Sequence, residues 1–469
     1  MISWVRRATH SCLFLILFFA SCSLALAEQA PLMQQIERLD NDFKTLSAKF
    51  YRDSSSKTGK TSKKYSNVDL LLNNVNKLIN AKQPVRAIQL LNSNIQTINE
   101  NIDSKAVFEI IDILLDQNHW VLANSLFQTI QEEGDLSLLA PVKYSFARYH
   151  AQRNQWKQVV KLLDGIFSQL SDDNATYAYL LYGTALQHLK KHRLAVQSYE
   201  KISKKSKYYR YAQLNTAIAN IRQGWWTDAQ TRIDKLLKYS KKTNKDELTN
   251  RLYLILGYAL LQREFYRDAR DAFRHIGLNS QYTNRALLGI GLTATSQGDY
   301  IGGLNALTIL KDKKTFDLSV DESYLLVPYV YEKLQQELTV NTSYTEAMNY
   351  YQRRIKELDN IISRKADLSK VSYSENTMSI SVKNNNFDYS SQYPESFIKN
   401  FNRLNYFKNM SKASKLKNKI SKLTSRYESV YQKIINDLAA QRKENLRSYL
   451  NQSRYGLARL YDNSKESSN

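Results

Sequence analysis

Cysteine, proline and glycine are all scarce in this chain of 469 residues, and each scarcity excludes something. The two cysteines, Cys12 and Cys22, lie near the N-terminus, so the later sequence offers no disulfide, no thiolate nucleophile and no cysteine-ligated zinc. Five prolines and thirteen glycines leave long stretches without a helix breaker. No run of 18 apolar residues follows the N-terminal segment, so we expect no membrane-spanning helix there.

Motifs that carry catalysis are also missing. The sequence contains no glycine-rich phosphate loop, no nucleophile elbow and no paired-carboxylate motif. His188 and His192 have the i, i+4 spacing of metal ligands on one helix face, but Leu189 stands where a zinc-protease helix carries glutamate. We therefore predict no catalytic residue, no cofactor and no metal site, and we expect that the protein is not an enzyme.

The N-terminus has the pattern of an export signal. Two arginines at 6–7 precede an apolar stretch at 13–20, and a small-x-small motif follows at 25–27. This predicts a signal peptide over 1–27 and an exported, periplasmic protein. The alternative is a lipoprotein anchored at Cys22, which follows a lipoprotein-like Phe-Ala-Ser triplet.

The charge balance is strongly basic, with 67 Lys and Arg against 44 Asp and Glu and a net charge of +23. In a cytosolic protein this balance would favour nucleic acid as a partner. With export we expect no nucleic acid, and instead an anionic envelope component or an acidic protein. The alternative is that the lysines are merely solvated and have no anionic partner.

Small residues recur along the middle of the chain at steps in the mid-thirties, which is typical of stacked helical hairpins. They are Ala87, Ala123, Val159, Ala195, Ala229, Ala269 and Gly303. With apolar residues at three- and four-residue spacing, the pattern predicts an all-α solenoid.

One copy of the repeat is especially clear, because its apolar and small residues form two helical patterns. The first comprises Tyr253, Leu256, Gly257 and Leu260, and the second Ala269, Phe273 and Ile276. Gly183 and Gly291 share the register of Gly257. Because glycine inside a helix costs about 1 kcal/mol relative to alanine, these positions predict close approach of a neighbouring helix.

This pattern resembles the tetratricopeptide repeat. The resemblance covers 67–356 and implies a solenoid of about seven to eight helical hairpins. The last of them, over 324–334 and 344–355, is expected to be stretched, with a longer turn. The family pattern is incomplete, because the usual first tryptophan and the late proline are absent.

The flanking segments differ in composition from the repeats. Residues 28–66 predict a helix and a polar linker, and 357–395 a helix end followed by a polar, flexible excursion. Residues 396–469 predict a basic, long-helix segment with 16 Lys and Arg against 5 Asp and Glu. Apolar residues at 416, 420, 423, 427, 430 and 434 form a heptad-like seam, as in a coiled coil or in a helix that packs within the chain.

The resemblance implies that the first helix of each hairpin lines a groove that binds a protein or peptide. By register, the groove positions are Tyr144, Arg148, Tyr177, Leu180, Tyr211, Ile218, Arg222, Arg251, Tyr258, Arg285 and Leu292. We expect an interaction scaffold in envelope assembly, secretion or a surface-structure system. The alternative is binding of an anionic polysaccharide or of lipid headgroups through the basic C-terminal helices.

Overall fold

The computed structural model describes residues 31–52, 63–134, 136–240, 246–364, 366–374, 379–383, 385–389, 392–410 and 414–466. The predicted signal peptide and Cys22 lie outside these residues. The chain divides into two compact units. The first unit comprises Met1–Asp135 and Tyr393–Ile434, and the second comprises Leu136–Gln392 and Ile435–Asn469.

The described part of the chain is almost entirely helical, as the sequence predicts. Its helices are α1 (31–52), α2 (Val68–Asn80), α3 (Pro84–Ser93), α4 (Ile95–Glu100), α5 (Lys105–Asp116), α6 (Trp120–Glu133), α7 (Leu139–Ala151), α8 (Trp156–Leu163), α9 (Asp172–His188), α10 (His192–Glu200), α11 (Tyr209–Arg222), α12 (Trp226–Ser240), α13 (Glu247–Gln262), α14 (Tyr266–Arg274), α15 (Thr283–Ser296), α16 (Tyr300–Lys311), α17 (Leu318–Lys333), α18 (Glu337–Ser363), α19 (Glu395–Met410) and α20 (Ser414–Glu466). Short 3₁₀ turns lie at Leu136–Leu138, Phe167–Gln169 and Leu368–Lys370. None of these described helices has the length and apolar character needed to cross a bilayer.

The described residues contain eight helical hairpins of the tetratricopeptide-like kind. They are the pairs α2–α3, α5–α6, α7–α8, α9–α10, α11–α12, α13–α14, α15–α16 and α17–α18. Two of them belong to the first unit and six to the second. This confirms the all-α solenoid and the predicted number of repeats.

Each hairpin turn contains one residue with a positive φ. These residues are Lys82, Asn118, Asn154, Lys190, Gly224, Glu264, Gly298 and Gln335. Such a residue ends the first helix, and its spacing from turn to turn follows the predicted repeat. In the eighth hairpin the turn at Gln335 is as short as the others, so the prediction of a longer turn is wrong. The first helix of this hairpin begins at Leu318, earlier than the predicted start at residue 324. The turn was not recognised because its positive-φ residue, Gln335, is not a glycine.

The recurring small residues occupy the same position in the second helix of each hairpin, five residues after the positive-φ residue. The first seven are buried, and Val340 takes this position in the eighth hairpin. The glycines of the first helices meet a large side chain from the second helix. A Cβ at Gly257 would lie 2.5 Å from the Phe273 ring. A Cβ at Gly291 would lie equally close to Leu307. The predicted close packing is confirmed.

In the first unit, α1 and α19 pack with the part of α20 that precedes residue 435. Tyr427 Oη donates to the Leu39 carbonyl at 3.1 Å, and Asn400 Nδ2 donates to Asp40 Oδ1 at 2.9 Å. The Phe407 ring stacks on Phe50 with centroids 4.1 Å apart. The predicted heptad-like seam of α20 is buried in this unit, so it packs within the chain.

In the second unit, residues 435–466 of α20 pack on the last hairpin. A Cβ at Gly456 would lie 2.5 Å from the Tyr344 ring, and Gly289 of α15 meets the ring of Phe273 in the same way. Tyr344 and Phe273 hold equivalent positions in their second helices. The α20 segment therefore stands where the first helix of a ninth hairpin would stand, and it covers the end of the stack.

The segment predicted as a polar, flexible excursion contains a small antiparallel sheet in the second unit. Its strands are β1 (Ser372–Ser374), β2 (Ser379–Val382) and β3 (Asn385–Asp388), in the order β1-β2-β3. Ile380 pairs with Phe387, and both side chains are buried. The sheet escaped prediction because each strand offers only one or two apolar residues among Ser and Asn, too few to establish a period of two.

Candidate functional site

The first helices of the second unit form a continuous layer. Each contacts the next, in the order α7, α9, α11, α13, α15 and α17, whereas successive second helices contact each other less. Because the first helices are closer together, they lie on the inner side of the curve of this unit. This inner layer is the surface on which the sequence places its candidate groove.

The structure divides the eleven groove candidates into three groups by exposure. Tyr144 is buried, with 5% of its surface exposed. The half-buried candidates are Arg148, Tyr177, Leu180, Ile218, Tyr258 and Leu292, and the exposed candidates are Tyr211, Arg222, Arg251 and Arg285.

The three tyrosines among the buried and half-buried candidates pack between neighbouring hairpins. The Tyr144 ring meets the Tyr177 ring edge-on at 6.4 Å, and Tyr177 lies 5.1 Å from the Tyr208 ring. Tyr258 Oη donates to the Arg285 carbonyl at 2.9 Å. A tyrosine is large enough to span the gap between two first helices, so these side chains act first as contacts between repeats.

Three of the exposed candidates share one register. Tyr211, Arg251 and Arg285 each precede the positive-φ residue of their hairpin by thirteen residues, so they occupy equivalent places on α11, α13 and α15. In the described residues, neither arginine has an ion pair. The row therefore presents one aromatic side chain and two cations to solvent on the inner layer.

Arg222 lies at the other end of its helix, close to two histidines. Burial lowers the pKa of His188, and the charge of Arg222 lowers it further. The same two causes act on the pKa of His192. A neutral imidazole is favoured at both positions, because burial penalises the charged ring and the Arg222 cation repels it.

The two histidines do not share the helix face that metal ligation at this spacing would need, because they flank a hairpin turn. His188 ends α9 and His192 begins α10, and the positive-φ residue Lys190 turns the chain between them. The His188 ring stacks on Trp156 with centroids 4.1 Å apart. No group of three or more metal-ligating side chains occurs among the residues that the structure describes.

Sequence reasoning missed the residue at the next position of this register, which is half-buried and not exposed. Glu322 of α17 precedes Gln335 by thirteen residues and thus follows Arg285 in the same register. Tyr449 Oη, from the C-terminal part of α20, donates to Glu322 Oε1 at 2.9 Å. The pKa of Glu322 is raised to about 7, mainly by burial. The charges of Asp321 and Asp317 also raise it, and the hydrogen bond from Tyr449 lowers it. Counting thirteen residues back from the turn at Gln335 would have identified Glu322.

No protein-family model and no curated protein matches the chain. Among solved structures, the C-terminal part of a TPR repeat-containing protein from Cytophaga hutchinsonii is similar at 14% identity and a TM-score of 0.44, over 52% of this chain and 94% of that one. The apo form of RapI is similar at 13% identity and a TM-score of 0.44, over 78% of this chain and 98% of that one. The TPR domain of P58(IPK) gives 12% identity and a TM-score of 0.21, over 68% and 93% of the two chains.

Proposed function

We propose that the protein is an interaction scaffold whose inner layer of first helices binds an acidic segment of a protein partner. The observation that carries this proposal is the exposed row of Tyr211, Arg251 and Arg285. Tyrosine and arginine are the residue types most enriched at binding hot spots. Neither arginine has an ion pair within the described ranges, so both cations are available to carboxylates.

The spacing of the row limits the shape of the partner. Packed helices lie about 8–10 Å apart, so Arg251 and Arg285 present their charges at about that interval. A peptide in the extended polyproline II conformation rises about 9 Å in one turn of three residues, and an α-helix rises about 10 Å in seven residues. We therefore expect carboxylates three residues apart in an extended ligand, or seven apart in a helical one. At the same register of α17 stands the half-buried Glu322 and not a further exposed cation, so the cations of the row end at α15.

The test is site-specific crosslinking in the native host. A photoreactive phenylalanine analogue at position 211 should yield a discrete adduct, and mass spectrometry should identify an acidic segment at the crosslink. The double variant Arg251→Glu and Arg285→Glu should abolish the adduct, because each substitution places like charges together.

The matched control is Arg193→Glu with Arg267→Glu. It makes the same change in net charge at exposed positions of second helices. The control should keep the adduct. Loss of the adduct in both double variants, or its survival in both, would contradict the proposal that the groove binds acidic side chains through Arg251 and Arg285.

The compartment is the second part of the proposal. The signal pattern over 1–27 supports export and a role in envelope assembly, secretion or a surface-structure system. N-terminal sequencing of the mature protein should find Glu28 first. If the mature chain instead starts at a lipidated Cys22, and Cys22→Ser releases it from the membrane fraction, the protein is a lipoprotein. A mature chain that retains Met1 and stays in the cytoplasm would overturn export.

A second candidate function, binding of an anionic envelope component, is favoured by one observation. The sequence from residue 396 to residue 427 contains nine Lys and Arg and no Asp or Glu. This window lies on α19 and on the beginning of α20, in the first unit. It is separate from the row of Tyr211, Arg251 and Arg285, so the two functions do not compete for one surface.

A further inference from the structure

We propose that α19 and the first part of α20 form a docking surface for an anionic phospholipid bilayer. The inference narrows the second candidate function to one surface and one ligand. It rests on that candidate and is independent of the groove.

The cationic side chains of α20 share one face of the helix. Lys415, Lys419, Lys422, Arg426 and Lys433 are separated by four, three, four and seven residues, and all five are exposed. At 1.5 Å per residue this stripe is about 27 Å long. The apolar seam beside it is buried within the first unit, which fixes the orientation of the helix. The stripe is therefore a fixed, linear array of charge.

Nearby carboxylates leave most of this charge unneutralised. Arg426 pairs with Asp42 at 2.5 Å, and Lys433 Nζ donates to Gln35 Oε1 at 3.0 Å. Lys415, Lys419 and Lys422 have no ion pair in the part of the chain that the structure describes. Three free cations thus follow one another along two turns of one helix.

Exposed apolar side chains lie at the same end of this helix pair. Tyr406 is 43% exposed and Met410 is 53% exposed, and both lie in the last turns of α19. Contacts of Asn400 and Phe397 with Tyr427 show that α19 and α20 run side by side, so Met410 lies near the start of α20. Lys408 is exposed between Tyr406 and Met410.

This combination fits a bilayer better than it fits a polysaccharide. Lysines beside an anionic membrane each contribute favourable attraction, and a tyrosine or a methionine can enter the interface between headgroups and acyl chains. A linear polyanion would use the cations alone and would leave the exposed apolar side chains in water. The charge of the stripe is thus complementary to an anionic headgroup plane, and Tyr406 and Met410 supply a shallow apolar anchor.

The experiment measures partitioning of the full mature chain onto sedimenting vesicles. Vesicles of phosphatidylglycerol with phosphatidylcholine should bind the protein, and vesicles of phosphatidylcholine alone should not. Binding should fall steeply between about 0.01 M and about 0.15 M salt, because the Debye length shortens from about 30 Å to about 8 Å.

Two triple variants separate the proposed surface from general basicity. Lys415→Gln, Lys419→Gln and Lys422→Gln together should lower the partition coefficient about 100-fold. The matched control replaces Lys201, Lys204 and Lys205, which are exposed in the second unit, with glutamine and should leave partitioning unchanged. Replacing the three α20 lysines with arginine should retain vesicle binding. This result would show that the glutamine variant loses binding because it lacks the charges and not because substitution at these positions unfolds the protein.

A further pair of variants tests the apolar anchor and the rival ligand. Tyr406→Ser with Met410→Ser should weaken partitioning without changing its salt dependence. Equal losses in both lysine triples, or equal binding to both kinds of vesicle, would overturn the proposal. So would binding of a soluble sulfated polysaccharide that depends on the same lysines while vesicles remain unbound. The Arg251→Glu and Arg285→Glu variant should bind vesicles normally, so failure of the groove proposal would leave this one standing.

Discussion

Arg442 Nε donates a 2.8 Å hydrogen bond to Asp321 Oδ2, and both side chains are buried. Tyr350 Oη donates to the other carboxylate oxygen at 2.7 Å. Burial raises the pKa of Asp321, and the charge of Arg442 opposes that rise. The cation from the C-terminal part of α20 therefore favours the ionised form of this carboxyl group. This contact joins that segment to the last hairpin of the second unit.

Removing the cation should destabilise the second unit strongly. We expect Arg442→Met to lower the free energy of unfolding by about 3–5 kcal/mol, because it leaves a buried carboxylate without its partner. Urea unfolding of the full chain measures this change. The control is Lys370→Met, which breaks the exposed pair with Asp367 and should cost less than about 1 kcal/mol. Similar losses in both variants would show that burial does not decide the strength of the Asp321 contact.

Glu322 should make the second unit less stable as the pH rises. Burial raises the pKa of Glu322 from its ordinary value of 4.5 to about 7, so the folded chain holds a proton that the unfolded chain releases. The stabilisation that comes from this proton on Glu322 is complete below the unfolded pKa, and it is lost as the pH rises through the folded pKa. Over that range it amounts to about 3 kcal/mol.

The variant Glu322→Gln isolates this effect. Its amide oxygen still accepts from Tyr449 Oη, but it does not titrate. We expect the variant and the wild type to have similar free energies of unfolding near pH 4, and the variant to be more stable near pH 8. A constant difference across this range would mean that Glu322 titrates alike in the folded and unfolded chains.

His119 should give the opposite pH dependence in the first unit. Its side chain is 3% exposed, its ring stacks on Tyr51, and burial lowers its pKa to about 4. As the pH falls below about 6.5, His119 becomes protonated in the unfolded chain but stays neutral in the folded chain until the pH approaches 4. Stability from the neutral ring is complete above pH 6.5 and is lost as pH falls toward 4, by about 3 kcal/mol in all.

Urea unfolding of His119→Asn at several pH values checks this prediction. Asparagine can also cap the start of α6, where His119 Nδ1 accepts from the Leu122 amide. The destabilisation caused by the substitution should shrink as the pH falls from 7 to 4. A destabilisation that stays the same between pH 7 and pH 4 would contradict the lowered pKa of His119.

The sequence predicted the repeats well because their signal is local and periodic. Ala269, Gly257 and Phe273 recur as a pattern within one hairpin, and the same pattern fixes how that hairpin packs. It did not predict the partners of α20. Arg442 meets Asp321 across 121 residues, and nothing in local spacing identifies such a pair.

The exposure of the groove candidates was harder to predict than their register. Tyr144 and Tyr211 both lie on first helices, yet Tyr144 is 5% exposed and Tyr211 is 48% exposed. The difference depends on the neighbouring hairpin, which supplies Tyr177 to cover Tyr144. Glu322 was overlooked for a related reason, since its hairpin departs from the apolar pattern and only the turn at Gln335 restores the register.

The glycine of the first helix offers the sharpest test of hairpin packing. A Cβ at Gly257 would lie 2.5 Å from the Phe273 ring, which is almost fully buried. We expect Gly257→Ala to destabilise the second unit by about 1–3 kcal/mol through overpacking, despite the better helix propensity of alanine. Thermal or urea unfolding measures the loss.

Two further substitutions make this test specific. Gly277→Ala is the matched control, because a Cβ there would meet no atom within 4 Å, and it should change stability by less than about 0.5 kcal/mol. Adding Phe273→Leu to Gly257→Ala should cost less than the sum of the two single changes, because the smaller side chain makes room for the new methyl group. If the two costs simply add, the ring of Phe273 does not fill the space above Gly257. The close approach of paired helices would then need another cause.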